Sequence, residues 1–389
     1  MEWEFHTPCE CVWEDNMERS YCAKIDEAIA NMQFEGVLQK KKTLSTGHIN
    51  DTFEVVFRQR DGGKRRYILQ RINHHVFHEP EAVMKNIWGV TQHLRKKILE
   101  EGGDLSREML NVIPSIDNKC YYKDSNGYMW RAFDFIENSV CLDTVEEPNQ
   151  FYQSAVAFGK FQKMLSDYPA EELYETIPDF HNTPMRLKNL QKAMQENRSG
   201  RADLVQEEYQ FIMAREKELA ILQELLENGE LPLRVTHNDT KLNNVMLDAD
   251  TGEGLCVLDL DTVMPGLAVT DFGDAIRFGA STAEEDERDL SKVWIDLTLF
   301  EAYTKGYLET CGNSLTPTEI EMLPLGAKTM TLECASRFLA DYVDGDVYFR
   351  TEYPDHNLVR CHTQMKLAAD MERKWPQMVE IVDRYNNKN

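Results

Sequence analysis

The sequence predicts an α+β protein in two parts, an N-terminal lobe built on an antiparallel sheet and a larger, mainly helical C-terminal lobe. Three observations carry that reading. Strand-like alternation and a strong hairpin turn at Asn126-Gly127 occupy the first third of the chain. Helical periodicity takes over from Asn149. One strand-rich island, Arg234 to Arg277, interrupts the helices and gathers His237, Asp239, Asn244 and Asp259 within a short stretch.

Length and composition bound what this architecture can do. A chain of 389 residues exceeds one ordinary core and suggests two domains, which we place at 1–138 and 139–389. Lysine and arginine total 43 against 67 acidic residues, a formal net charge of −24, which argues against nucleic-acid or anionic-membrane partners and leaves oligomeric state open. Nine cysteines without a hydrophobic N-terminal segment predict free thiols, a reducing compartment and a cytoplasmic location. Cys9 and Cys11 form a C-x-C, but no second cluster lies at zinc-like spacing. No run of about 18 apolar residues predicts a membrane span.

In the N-terminal part, Ile25, Ile29 and Met32 share one face of an amphipathic helix. From Lys41, KTLSTGHINDTFEVVF reads as strand, turn and strand. Gly47 allows close backbone approach, while Thr46, Asn50 and Thr52 offer polar contacts to nucleotide phosphates; an ordinary hairpin is the alternative. RRYILQRIN is the third strand, with Gln70 and Arg71 on opposite faces, so one of them points toward the phosphates. We favour Arg71 as the cation, with a surface arginine as the competing reading. Pro80 to about Glu101 is a helix with Val83, Ile87, Val90 and Leu94 on one stripe, Pro at its start and Gly102-Gly103 at its end. The strands of 110–137 finish the sheet. The linker through Ile136 to Asn138 is either a plain connection or a hinge whose backbone binds adenine.

In the C-terminal part, residues 150–167, 184–196 and 202–228 read as helices. VTDFGDAIRFG starts another helix; Asp271 or Thr270 suits its N-cap, or else Asp271 and Asp274 accept backbone N–H groups from the preceding loop. Thr316-Pro317-Thr318-Glu319 is a capping box with Pro at the first helical position. Near the end of that helix, Arg337 with Tyr342 or Tyr348 could hold hydroxyls of a sugar, against a surface ion pair of Arg337 with Asp341. A final helix spans about Asn357 to Tyr385.

The island carries the chemistry. His237, Asp239 and Asn244 form H-x-D-x-x-x-x-N, the spacing by which a protein-kinase loop places the Asp that accepts the hydroxyl proton and the Asn that holds magnesium. VLDLD ends in Asp259 and Asp261, about twenty residues on, and Asp259 suits the second metal ligand. The D-F-G at Asp271 to Gly273 lies too far along to take that role.

The stretches GHINDTFEV, YILQRIN, THNDTKLNNVMLD, VLDLDTVMPG and DFGDAIRFGAST resemble the aminoglycoside phosphotransferase and choline kinase superfamily, and most closely its N-acetylhexosamine 1-kinases. The resemblance implies a two-lobed, protein-kinase-like fold. It also implies phosphorylation of the anomeric hydroxyl of GlcNAc or GalNAc with ATP and Mg2+; the alternatives are a kinase of another small hydroxyl acceptor, such as choline, methylthioribose, homoserine or an aminoglycoside, and an idle kinase-like binding module. By the same resemblance Asp239 is the base, Asn244 and Asp259 the magnesium ligands, and Arg337 and Tyr348 the sugar contacts. His237, Asp261, Asp271 and Asp274 support them. Gln70 departs from the pattern by standing where a lysine is usual.

Overall fold

A computed structural model describes residues 16–44 and 49–386. The chain divides into two compact units, Met1–Glu137 and Asn138–Asn389. The first contains α1 (Asn16–Ala30), β1 (Val37–Leu44), β2 (Asp51–Arg58), β3 (Lys64–Arg71), α2 (Pro80–Glu101), β4 (Val112–Ile113), β5 (Tyr122–Lys123) and β6 (Met129–Asp134). Its sheet runs in the order β1-β2-β3-β6-β4 with β5 also on β6, and every pairing is antiparallel.

Alternation along the strands sorts the two faces of this sheet. Phe53, Val55, Phe57, Tyr67, Leu69, Trp130 and Ala132 form one apolar cluster with Ile25, Ala28, Ile29 and Met32, so the helix predicted by its apolar face packs on the sheet. Helix α2 keeps the expected boundaries, with Pro80 in its first turn and Gly102 at φ 73° closing it. The Asn126-Gly127 turn has Gly127 at φ 89° and is held by Asp124, whose Oδ1 accepts from the N–H groups of Asn126 and Tyr128. The other oxygen of Asp124 accepts from the buried indole N–H of Trp130 at 2.9 Å, tying turn to core.

The second unit holds β7 (Ser139–Val140), α3 (Pro148–Met164), α4 (Thr183–Glu196), α5 (Gln206–Met213), α6 (Glu216–Leu219), α7 (Ile221–Glu227), β8 (Arg234–Thr236), β9 (Val245–Asp248) and β10 (Gly254–Val257). It continues with β11 (Met264–Gly266), α8 (Ala268–Gly279), α9 (Leu297–Cys311), α10 (Pro317–Asp344), α11 (His356–Arg373) and α12 (Trp375–Asn386). Two small sheets, β10-β9-β7 and β11-β8, are set among the helices. Phe151, Phe272, Phe300, Tyr303 and Tyr307 form the aromatic centre of the main core. Helices α8 and α10 cross on two glycines: a Cβ on Gly273 would stand 2.3 Å from the Gly326 carbonyl oxygen, and one on Gly326 equally close to that of Val269. Gly273 of the D-F-G triplet therefore serves a helix crossing.

Two expected helices are broken. The run 202–228 is a short 3-10 turn followed by α5, α6 and α7, and the chain bends at Arg215, whose guanidinium lies over Phe211 and binds both oxygens of Glu372 at 2.7 and 2.8 Å. The final run is two helices because Pro376 has no N–H for the preceding turn, so a new helix starts beside it. The capping box at Thr316 and Glu319 is present as expected. Among the described residues no helix is long and apolar enough to cross a membrane.

Candidate active site

Strand β8 delivers the chain into a loop in which Asn238 adopts a left-handed conformation, φ 65°. An asparagine tolerates this better than most residues. The loop is bound from below by α8. Asp271 accepts from the backbone N–H groups of His237 and Asn238, one per carboxylate oxygen and both at 2.7 Å, and Asp274 accepts from Thr240 N at 3.2 Å. Asp271 is therefore not an N-cap: α8 starts at Ala268, its N-cap is Leu267, and Thr270 donates its hydroxyl to the Leu267 carbonyl. Burial pushes the Asp271 carboxyl up to about 6, although both N–H donors oppose that shift. Asp274 is also buried, yet Arg277, His181 and Lys241 hold its carboxyl below the usual range.

His237 is fully buried, with Phe158 and Phe161 set edge-on to its ring at 5.4 and 6.1 Å between centroids. Its Nδ1 accepts from Asp239 N at 3.2 Å and its Nε2 donates to the Leu258 carbonyl at 2.7 Å, an arrangement that assigns the proton to Nε2. Leu258 N in turn donates to the Asn244 carbonyl at 2.7 Å. The residue before Asp259 is thus fastened at both its polar groups to the loop that carries Asp239 and Asn244. Asp259 follows in a left-handed conformation, φ 53°, with its side chain exposed, whereas Asp261 is buried in the next turn.

The side chains above this frame are mutually oriented. Asn244 Nδ2 donates to the Asp239 backbone oxygen at 2.8 Å and to Asp239 Oδ2 at 3.1 Å. The other carboxylate oxygen, Oδ1, pairs with Lys241 Nζ at 2.8 Å. With its nitrogen engaged on Asp239, Asn244 keeps its amide oxygen for other contacts, and that oxygen and the Asp259 carboxylate are the hard oxygen ligands that could hold magnesium. Burial works to lower the Lys241 ammonium, but Asp239 beside it outweighs burial and raises it. The H-x-D-x-x-x-x-N spacing does not single out Lys241, and its place two residues after Asp239 is the signal the sequence offers for it.

The remaining expected residues fall in several places. Thr46 and Gly47 lie outside the described residues. Asn50 accepts from Asn73 N through its side-chain oxygen at 2.9 Å. Thr52, Gln70 and Arg131 sit opposite one another on β2, β3 and β6 and are joined in a row: Gln70 Nε2 donates to Thr52 Oγ1 at 3.0 Å, and Arg131 Nε to Gln70 Oε1 at 2.9 Å. Arg71 turns to the other face, pairs with Asp51 at 2.5 Å and lies over the Tyr128 ring. The cation that contacts Gln70 is the buried Arg131. Ile136 is buried; Asn138, at φ 52°, donates its amide to Asp250 at 2.7 Å and accepts from Ala249 N.

Arg337 lies over three rings, those of Phe180, Tyr348 and Phe349, at 5.5 to 5.9 Å, and Tyr348 is largely exposed. The alternative pair of Arg337 with Asp341 does not form. Asp341 instead accepts from the N–H groups of Val347, Tyr348 and Phe349 and so shapes the turn that presents Tyr348. One turn before Arg337, Glu333 accepts from His181, whose second ring nitrogen meets the Asn238 carbonyl oxygen. A separate cavity of about 390 Å³ is lined by Asp143, Leu242, Arg277, Glu285 and Gln364 among others. Arg277 binds Asp274 and Glu285 and thereby joins this cavity to the loop.

The fold has many solved counterparts. An aminoglycoside phosphotransferase from Alicyclobacillus acidocaldarius aligns with a TM-score of 0.57 at 11% identity, covering 93% of this chain and 96% of the other. An amicoumacin kinase in complex with AMP-PNP, Ca2+ and Ami aligns at 0.56 and 13% identity, covering 92% and 93%. An ethanolamine kinase from Plasmodium vivax aligns at 0.52 and 13% identity, covering 91% and 90%. At such identities these likenesses speak for the protein-kinase-like fold alone. The sequence itself matches the APH phosphotransferase enzyme family over residues 42–303, from the end of β1 to the middle of α9, and so takes in the whole Asp239 loop. The chain belongs to that phosphotransferase family.

Proposed function

We propose that the chain is an ATP-dependent kinase that phosphorylates the anomeric hydroxyl of N-acetylhexosamines, giving the sugar 1-phosphate and ADP. The observation that carries the kinase chemistry is the setting of Asp239, with one carboxylate oxygen on the Asn244 amide and the other on Lys241. Such a carboxylate is fixed in direction and suits a base that takes the proton of an attacking hydroxyl. Asn244 and Asp259 would hold magnesium, which when bound neutralises charge on the phosphates. Lys241 supplies a cation next to the base, where negative charge on the moving phosphoryl group is stabilised. The sugar assignment rests on the THNDTKLNN and LDLDTVMPG resemblance; Arg337 lies over the rings of Tyr348 and of Phe180, the neighbour of His181, whose Nε2 meets the Asn238 carbonyl oxygen.

One observation favours a second reading, a kinase of amine-bearing alcohols. The cavity beside Leu242 is lined by Asp143, Glu284, Glu285 and Glu287 against Arg277 and Lys292, an acidic balance that would suit a cation. Several solved neighbours are named for such acceptors, ethanolamine and choline among them. ADP release across GlcNAc, GalNAc, glucose, galactose, choline, ethanolamine and an aminoglycoside decides between them. The first reading expects turnover with the two N-acetylhexosamines. Turnover confined to the amines would replace it with the second.

A further inference from the structure

The peptide that joins Asn238 to Asp239 is held from both sides by histidines. Its N–H donates to His237 Nδ1 at 3.2 Å, and its carbonyl oxygen lies 3.2 Å from His181 Nε2. His181 reaches it from the segment before α4, and its Nδ1 sits 2.8 Å from Glu333 Oε1 on α10. Glu333 is almost fully buried and is completed on its other oxygen by the Thr183 hydroxyl at 2.6 Å. Both partners of His181, a carboxylate and a main-chain carbonyl, can only accept. Each ring nitrogen therefore carries a hydrogen, and the ring is an imidazolium.

We propose that His181 is a positioning residue for phosphoryl transfer, which as an imidazolium locks the Asn238–Asp239 peptide and couples the direction of the Asp239 carboxylate to Glu333 on α10. The inference rests on the kinase reading of Asp239. If His181 loses a proton, the remaining hydrogen stays with the Glu333 carboxylate, the stronger acceptor. Nε2 then turns a lone pair toward the Asn238 oxygen, and the peptide is released on that side. Phe180, next to His181, lies under the Arg337 guanidinium, so the same segment touches the residues proposed to hold the acceptor.

The surroundings agree with a charged ring. Burial alone would lower the His181 pKa, but the Glu333 carboxylate outweighs it and raises the group above its ordinary 6.5, with Asp274 on α8 adding to the effect. The other charged groups facing this pair are Asp271 on α8, Arg337 on α10 and Arg186 on α4. Glu333 itself is held below the usual range: burial opposes this, and His181, Thr183 and Arg337 overcome it.

The test is the pH dependence of turnover in three proteins, with a 15N spectrum of the histidine rings of the wild type. The wild type should lose kcat on an alkaline limb set by His181. Glu333→Gln should move that limb to lower pH by about 1 to 3 units, the usual effect of removing an opposite charge at contact. His181→Gln should lower kcat by roughly 10²-fold, as expected for a misdirected base, and abolish the limb while KM for ATP changes little. The spectrum should show both ring nitrogens of His181 protonated at neutral pH. Superimposable limbs in all three proteins, or one bare ring nitrogen at neutral pH, would overturn the proposal. Should His181→Gln not fold, the Glu333→Gln limb and the wild-type spectrum decide it. A wild type that transfers phosphate to no acceptor instead removes the kinase reading, while the spectrum still reports the ring.

Discussion

His237 donates through Nε2 to the carbonyl oxygen of Leu258, 2.7 Å away and twenty-one residues along the chain. This bond fixes the approach of Asp259 to the loop that carries Asn244. A residue that orients a ligand from behind typically contributes 10- to 100-fold to metal affinity. His237→Phe keeps a ring against Phe158 and Phe161 but removes both hydrogen bonds. The apparent Mg2+ affinity, read from the Mg2+ dependence of turnover, should weaken by about 10- to 100-fold. An unchanged Mg2+ dependence would separate His237 from the metal.

Asp239→Asn keeps the size of the side chain and removes its basicity. Turnover should fall by about 10² to 10⁴, the range for a positioned acid-base group, while ATP affinity in an equilibrium titration changes little.

Asp271 links pH to the loop. Burial raises its folded-state pKa from 3.8 to about 6, so in this window the folded chain binds a proton that the unfolded chain does not. Its contribution to stability is therefore fully present below the unfolded value and is lost as pH rises through about 6. Acidification does not unfold the protein through Asp271. It converts one acceptor oxygen into a hydroxyl facing a backbone N–H. Turnover should decline below about pH 6 with no loss of melting temperature from this group. Asp271→Asn should remove that limb and lower turnover by up to about 10²-fold through displacement of the loop.

The island around Asp239 was legible because its working residues are close in sequence and their spacing is itself the geometry. The strands and α2 were legible for a similar reason, since period and end signals are local. The cation beside Gln70 was not. Gln70 and Arg71 could be assigned to opposite faces by parity, but finding Arg131 needs the register of β3 against β6, which no local pattern supplies. Asp271 offered two readings, and only the start of α8 at Ala268 separates them. The run 202–228 has helical periodicity throughout, and its bend at Arg215 depends on Glu372, more than 150 residues away.

Arg131 and Arg71 make opposite predictions. If the Gln70 face binds phosphate, Arg131→Met should raise KM for ATP by about tenfold or more, the equivalent of losing one charge-assisted hydrogen bond. Arg71→Met breaks a partly exposed pair with Asp51 and the contact with the Tyr128 ring, and should leave KM within about twofold. Equal effects in the two variants would contradict the assignment.

Arg234 holds β8 in place through a bidentate pair with the buried Glu319, which also closes the capping box of α10. Arg234→Met leaves that carboxylate buried beside an apolar chain. The expected loss is about 3 to 5 kcal/mol of unfolding free energy, measured by urea denaturation.

The most direct measurement is proton and phosphorus NMR of the product formed from GlcNAc, ATP and Mg2+ by the purified protein. A phosphorus resonance coupled to the anomeric proton is expected, absent with Asp239→Asn. Phosphate on another hydroxyl, or no sugar phosphate while an amino alcohol is turned over, would contradict it.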